Sequence, residues 1–249
     1  MNKLLITLFA LFVACETSLA QAQTTPAAAP AAPAPAAAAA PAAAPAKPAT
    51  PASPKSLEAK VAMCVGCHGI IGYKSSFPEV YHVPKIAGQN AKYIAAALNA
   101  YKTGDRKFPT MRGIAASLSD QDIADISNYY EHLGADTRDK LGDKPDREPD
   151  TEVAGLIQKA ACFSCHGSNL SKPIDPSYPK ISGQYPDYIF VALKAYKTVN
   201  NPTFGRNNGV MGAIAKQFSN SDLKALANYV GSLDSELQTV PESRFHSEH

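Results

Sequence analysis

Cys64-Val65-Gly66-Cys67-His68 recurs as Cys162-Phe163-Ser164-Cys165-His166. The Cys-x-x-Cys-His spacing is the attachment signature of a c-type haem. Two thiols add to the two vinyl groups of the porphyrin, and the adjacent imidazole coordinates the iron. Two other chemistries use paired cysteines. A zinc ribbon sets its pairs about 15–20 residues apart, far closer than Cys67 is to Cys162. A thioredoxin-like redox site needs a βαβ setting, and no β-rich pattern surrounds either pentapeptide. The repeat therefore predicts two covalently bound haem c groups. They would be attached through Cys64, Cys67, Cys162 and Cys165, with His68 and His166 on the irons.

The repetition extends well beyond the pentapeptide. Pro84-Lys85-Ile86-Ala87-Gly88-Gln89 matches Pro179-Lys180-Ile181-Ser182-Gly183-Gln184. Ala97-Leu98-Asn99-Ala100-Tyr101-Lys102-Thr103 matches Ala192-Leu193-Lys194-Ala195-Tyr196-Lys197-Thr198. Ser119 and Asp122 match Ser219 and Asp222, and Asn128-Tyr129 matches Asn228-Tyr229. Two homologous domains follow, over 55–135 and 151–237. The stretch 136–150 is charged, contains Pro145 and Pro149, and reads as the interdomain linker; 238–249 reads as a C-terminal tail.

The local signals are helical, and the expected class is all-α. Ser56 is placed to cap a helix that delivers Cys64, and Asn90 to cap a second carrying Tyr93, Ile94, Ala97, Leu98 and Tyr101. Ser119 with Asp122 has the form of a capping box and opens a third, with Ile123, Ile126, Tyr130 and Leu133 on one face. Gly134 ends it. The second half repeats the scheme, with Pro186 near a helix start and Ser219 capping the last helix. No hairpin signal stands out. A domain of this size has a thin core, which a large apolar porphyrin would thicken.

The N-terminus has the form of an export signal over 1–22. Lys3 opens it, Leu4 to Ala14 is apolar, and Ala20-Gln21-Ala22 is a small-x-small cleavage site. Of the five cysteines, four sit in the pentapeptides, and Cys15 lies inside the signal. A second reading makes Phe12-Val13-Ala14-Cys15 a lipoprotein processing site, with Cys15 lipidated and the chain tethered to a membrane. Either route leads out of the cytoplasm, and the expected location is periplasmic. Residues 23–54 are almost all Ala and Pro and cannot form a core; they read as a disordered linker.

The net charge of +2 does not point to nucleic acid. Basic residues do cluster, as Lys102, Arg106, Lys107 and Arg112 and again as Lys194, Lys197, Arg206 and Lys216. They are either an ordinary solvated surface or a steering surface for an acidic redox partner.

A six-coordinate haem needs a second ligand opposite the histidine. The chain has four methionines. Met1 leaves with the signal, and Met63 abuts Cys64 on the proximal side. Met111 and Met211 remain, one per domain, at nearly matched distances from His68 and His166. Such His–Met ligation raises the reduction potential and closes the iron to outside ligands. His82 has no counterpart in the second half and reads as a loop residue; His132, His246 and His249 read as exposed.

With these residues, the chain resembles the class I cytochromes c, specifically the two-domain dihaem cytochrome c4 type, over roughly residues 55–237. The resemblance implies that Pro84 and Pro179 offer their carbonyls to His68 and His166, and that Ile86 and Ile181 line the haem pockets. It implies two tandem class I cytochrome c domains across a pseudo-twofold axis with haem propionates facing each other. Tyr101, Tyr196, Gln89 and Gln184 are candidate polar contacts near that interface. The segment 69–83 is longer than its partner 167–178, and 199–210 is longer than the stretch before Met111, so the two haems are expected to differ.

These readings predict an electron carrier and not an enzyme. Electrons would come from a quinol-oxidising complex or a dehydrogenase and pass to a terminal oxidase or reductase. The alternative is the cytochrome subunit of a dehydrogenase complex, such as a sulfide-oxidising flavocytochrome. A dihaem peroxidase would need an open iron, which Met111 and Met211 argue against.

Overall fold

The computed structural model describes residues 56–241. The expected signal 1–22 with Cys15, the Ala/Pro stretch and the tail beyond 241 lie outside these residues.

In the first domain, helix α1 (Leu57–His68) begins at Ser56, whose Oγ accepts the Ala59 N–H, and runs unbroken through the first pentapeptide. Strands β1 (Lys74–Ser75) and β2 (Tyr81–His82) pair antiparallel. Then come α2 (Ala91–Thr103), β3 (Arg106–Lys107), α3 (Pro109–Ala116) and α4 (Asp120–His132). The second domain comprises α5 (Thr151–Ala160), α6 (Cys162–His166), α7 (Pro186–Lys197), β4 (Gly205–Arg206), α8 (Gly209–Ala215) and α9 (Asn220–Ser232). None of the described helices is long and apolar enough to cross a membrane.

Most of the boundaries follow from capping chemistry. Complete capping boxes open α4 at Ser119 with Asp122 and α9 at Ser219 with Asp222. Pro186 starts α7, where its missing N–H costs nothing. Asn90 departs from expectation. It stands at the N-cap of α2, but its side chain makes no cap bond and reaches across to the Tyr178 carbonyl (3.3 Å). The Glu131 carboxylate takes the Ala91 N–H instead (2.9 Å). The second domain's approach to its pentapeptide also differs from the first. Ala161 adopts a left-handed conformation (φ 51°) and breaks the helix between α5 and α6.

Each domain has its own apolar core. The first joins Val61 and Val65 of α1, Ile94 and Leu98 of α2, and Ile123, Ile126 and Tyr130 of α4. The second joins Val153 and Ile157 of α5 with Leu223, Leu226 and Val230 of α9. Burying aliphatic side chains of this size stabilises by about 1.5–3 kcal/mol each.

The two domains meet through reciprocal contacts, as a pseudo-twofold axis requires. The Gln89 amide donates to Lys180 O (2.9 Å) and accepts from Lys180 N (2.9 Å). The Gln184 amide donates to Lys85 O (2.8 Å) and accepts from Lys85 N (3.0 Å). Both glutamines are buried. Strands β3 and β4 come from different domains and pair antiparallel, with Arg106 opposite Arg206. An isolated two-residue strand carries no signal in sequence, so nothing local announces this pairing.

The linker 136–150 is fastened to the second domain. Gly142 O accepts from Asn169 Nδ2 (2.7 Å), Asp143 O from Ser168 Oγ (2.7 Å) and Arg147 O from the Tyr229 hydroxyl (2.8 Å). The start of the expected tail is held too. Gln238 N donates to Ala87 O (3.0 Å), and Val240 packs against the first core. Gly88 and Gly134, both at positive φ, permit this approach: a Cβ would come within 2.3 Å of Glu236 O at the first and 2.4 Å of Gln238 Oε1 at the second.

Candidate functional site

Each pentapeptide ends on a histidine held in a defined tautomer. His68 Nδ1 lies 2.8 Å from Pro84 O, and His166 Nδ1 lies 2.9 Å from Pro179 O. A carbonyl oxygen only accepts, so Nδ1 carries the proton and Nε2 keeps the lone pair that binds a metal. Burial holds both imidazoles below the ordinary histidine value, although the proline carbonyls pull the other way. Both rings are thus neutral and fixed in orientation, as an axial ligand needs.

The cysteines fit covalent attachment. Cys64, Cys67, Cys162 and Cys165 are all free thiols, half-buried at the end of α1 and on α6. Burial pushes Cys64 up to about 11, with the Tyr130 hydroxyl acting in the opposite sense, and pushes Cys162 up to about 11. Such thiols stay protonated and resist adventitious oxidation. One helical turn separates the two sulfurs of each pair and places the histidine directly after them, the spacing that two vinyl groups and one iron demand.

Met111 stands at the third position of α3 and Met211 at the third position of α8. Met111 borders the first core in company with Cys64 and Ile86. In the second domain Cys162, Ile181 and Ile214 border the core, and Met211 is half-buried one turn before Ile214. Met63 is half-exposed beside Cys64.

Sequence reasoning placed Arg106 and Arg206 in two basic clusters but missed that they pair at the pseudo-twofold axis. Arg106 donates to the Tyr93 hydroxyl (2.9 Å) and lies over the Tyr93 and Tyr101 rings; Arg206 donates to the Tyr188 hydroxyl (3.0 Å) and lies over Tyr188 and Tyr196. Among the described residues, neither guanidinium has a carboxylate within ion-pair distance. Two half-buried cations side by side favour anions, and the carboxylates of two porphyrins would suit them. The available signal was positional: each arginine precedes its methionine by the same interval.

The other basic residues are mostly engaged within the fold, which corrects the idea of a freely solvated cluster. Lys102 Nζ donates to Leu118 O (2.8 Å), Lys107 Nζ to Asn201 O (2.8 Å) and Lys197 Nζ to Phe218 O (2.7 Å), while Lys194 pairs with Glu79. His82 is also more than a loop residue. Its Nδ1 lies 2.6 Å from Asp187 Oδ2, its ring stacks on Tyr185 at 4.8 Å, and it ties the longer loop of the first domain to α7.

Comparisons with known proteins bear on this geometry. Residues 58–134 and 151–234 match the family described as cytochrome c. Cytochrome c4 of Pseudomonas aeruginosa is 30% identical over 180 residues, covering 70% of this chain and 85% of that protein. A protein of Stutzerimonas stutzeri named thiosulfate dehydrogenase electron acceptor is 28% identical over 180 residues, covering 67% of this chain and 76% of its own. The solved structure of Acidithiobacillus ferrooxidans cytochrome c4 aligns with a TM-score of 0.50 at 25% identity, over 70% of this chain and 99% of that one.

Proposed function

The chain belongs to the cytochrome c family, as a dihaem cytochrome of the c4 type, and from that premise we propose that it relays electrons through two His/Met-ligated haems outside the cytoplasm. It is an electron-transfer protein with two covalently bound haem c groups, and no substrate bond is made or broken by the protein itself. Bound haem supplies reversible one-electron exchange at iron. The chain's own residues do the rest. Pro84 and Pro179 fix the imidazoles, the Cys pairs would hold the porphyrins, Met111 and Met211 would supply the remaining iron ligands, and the reciprocal Gln and Arg contacts hold the two domains in register.

The observation that carries this reading is the matched pair of His Nδ1 to Pro carbonyl bonds, which leaves one free Nε2 beside each Cys pair. The expected partners are a quinol-oxidising complex or dehydrogenase as donor and a terminal oxidase or reductase as acceptor. A second reading, the cytochrome subunit of a dehydrogenase complex, draws support from the relative named thiosulfate dehydrogenase electron acceptor. Co-purification in fixed stoichiometry with a catalytic subunit distinguishes it from a free carrier. The N-terminal pattern supports a periplasmic location, and intact mass of the mature chain tells whether Cys15 is removed or lipidated.

The test is a covalent haem count with an optical redox titration. Two haems per chain are expected. Met111→Ala and Met211→Ala should each remove half of the methionine-to-ferric-iron absorption band. A single haem would defeat the relay reading, and a variant that kept the full band would defeat that ligand assignment.

A further inference from the structure

The two distal methionines are held in different ways. Met111 borders its own core, and α3 starts at Pro109, whose φ is preset for a helix. The link that feeds it, residues 104–108, is short. Met211 is fed by the longer link 198–208, which has more freedom to lose on ordering.

The second domain holds this link through Arg206 on Tyr188 and Thr198 on Lys194 O, and the first domain adds fastenings of its own. Lys107 Nζ donates to Asn201 O (2.8 Å), and Asn201 Oδ1 in turn accepts from Thr203 N and Phe204 N (2.9 Å each). Asp105 O accepts from Asn207 N (2.6 Å) and Asp105 Oδ1 from Asn207 Nδ2 (3.0 Å). Thr103 Oγ1 steadies the other oxygen of Asp105 (2.9 Å). Between these two fastenings, β4 pairs with β3. The next residue, Asn208, caps α8 through a bond from Met211 N–H to Oδ1 (2.9 Å). The matching position in the first domain is Phe108, which offers no side-chain cap. Asp105 thus fastens the residue next to the Asn208 cap of Met211, and Lys107 fastens the start of the same link.

We propose that Asp105 and Lys107 of the first domain are positioning residues for Met211, holding the second iron's distal ligand across the domain boundary, while Met111 is held by its own domain. The inference rests on reading Met111 and Met211 as axial ligands.

The test uses the ferric holoprotein and added imidazole, which competes with methionine for iron and bleaches the methionine-to-iron band. The Met111→Ala background leaves only the second haem's band, and the Met211→Ala background only the first's. In the Met111→Ala background, Asp105→Ala with Lys107→Met should let imidazole displace Met211 at roughly tenfold lower concentration, from the loss of two hydrogen-bonded fastenings. In the Met211→Ala background the same pair of changes lies in the short link that feeds Met111, but it removes no bond to α3, and the titration should shift far less. Asp105→Asn with Lys107→Arg, which keep an acceptor and a donor, should restore the parent curve. Should the double change impair folding, Asp105→Ala alone gives a smaller shift in the same direction. Equal shifts in both backgrounds, or none in the first, overturn the proposal. A full band retained in Met211→Ala overturns it at its premise, separately from any effect of Asp105 or Lys107.

Discussion

Pro84 and Pro179 act through carbonyl oxygens that any residue would possess, yet they settle which nitrogen of His68 and His166 is free. The Cys-x-x-Cys-His spacing made the thiols and histidines legible in the sequence, because covalent chemistry fixes residue type and interval together. Arg106 and Arg206 were visible only as members of two basic clusters, because their pairing is cross-domain and neither neighbourhood announces it. Ala161 was silent. It occupies the left-handed region at φ 51°, where a Cβ crowds the next carbonyl. Ala161→Gly is expected to stabilise the second domain by about 1 kcal/mol, read as a higher denaturant midpoint at unchanged slope. An unshifted midpoint would mean that the break between α5 and α6 carries no strain.

At the level of elements, the first domain has a lock that the second lacks in this form. Lys60 of α1 reaches Asp122 (3.1 Å) and Asp125 (2.5 Å) of α4. The Ser119 hydroxyl, then the Ser119 N–H, then the Lys60 ammonium hold the Asp122 carboxyl down to about 2, from an ordinary value of 3.8. A depressed carboxylate stabilises the fold above its unfolded value and loses that contribution as pH falls through its folded one. The melting temperature should therefore drop between about pH 4 and about pH 2. Asp122→Asn should lower it at neutral pH and flatten that slope; an unchanged slope would show that Asp122 is not the group responsible. The capping boxes were readable from Ser119-x-x-Asp122 and Ser219-x-x-Asp222, since they are local. Asn90 misled because its side chain had a distant partner, the Tyr178 carbonyl, that competed with the cap.

For the whole molecule, the two domains are joined by groups with little freedom to re-pair. Gln89 and Gln184 are 4% and 5% exposed, and each satisfies both backbone polar groups of a lysine in the opposite domain. Removing such a partner leaves buried donors and acceptors unmatched, at about 1–3 kcal/mol apiece. The parent should show one calorimetric transition and the Gln89→Ala/Gln184→Ala double variant two; a single transition in the variant would place the cohesion elsewhere, in β3–β4 or the His82–Asp187 contact. The internal repeat made two similar domains legible. Their docking was legible in part: Gln89 and Gln184 were expected near the interface and stand there, but the lysine backbone each one meets is set only by the tertiary fold.

The first core is completed by Val240, and the Gln238 amide is seated on Ala87. A polypeptide is made N-terminus first, so the first domain takes its last contacts only after the whole of the second has emerged. Maturation is then not strictly one domain after another. The earlier half depends for its last contacts on a strap that the chain supplies only at the end.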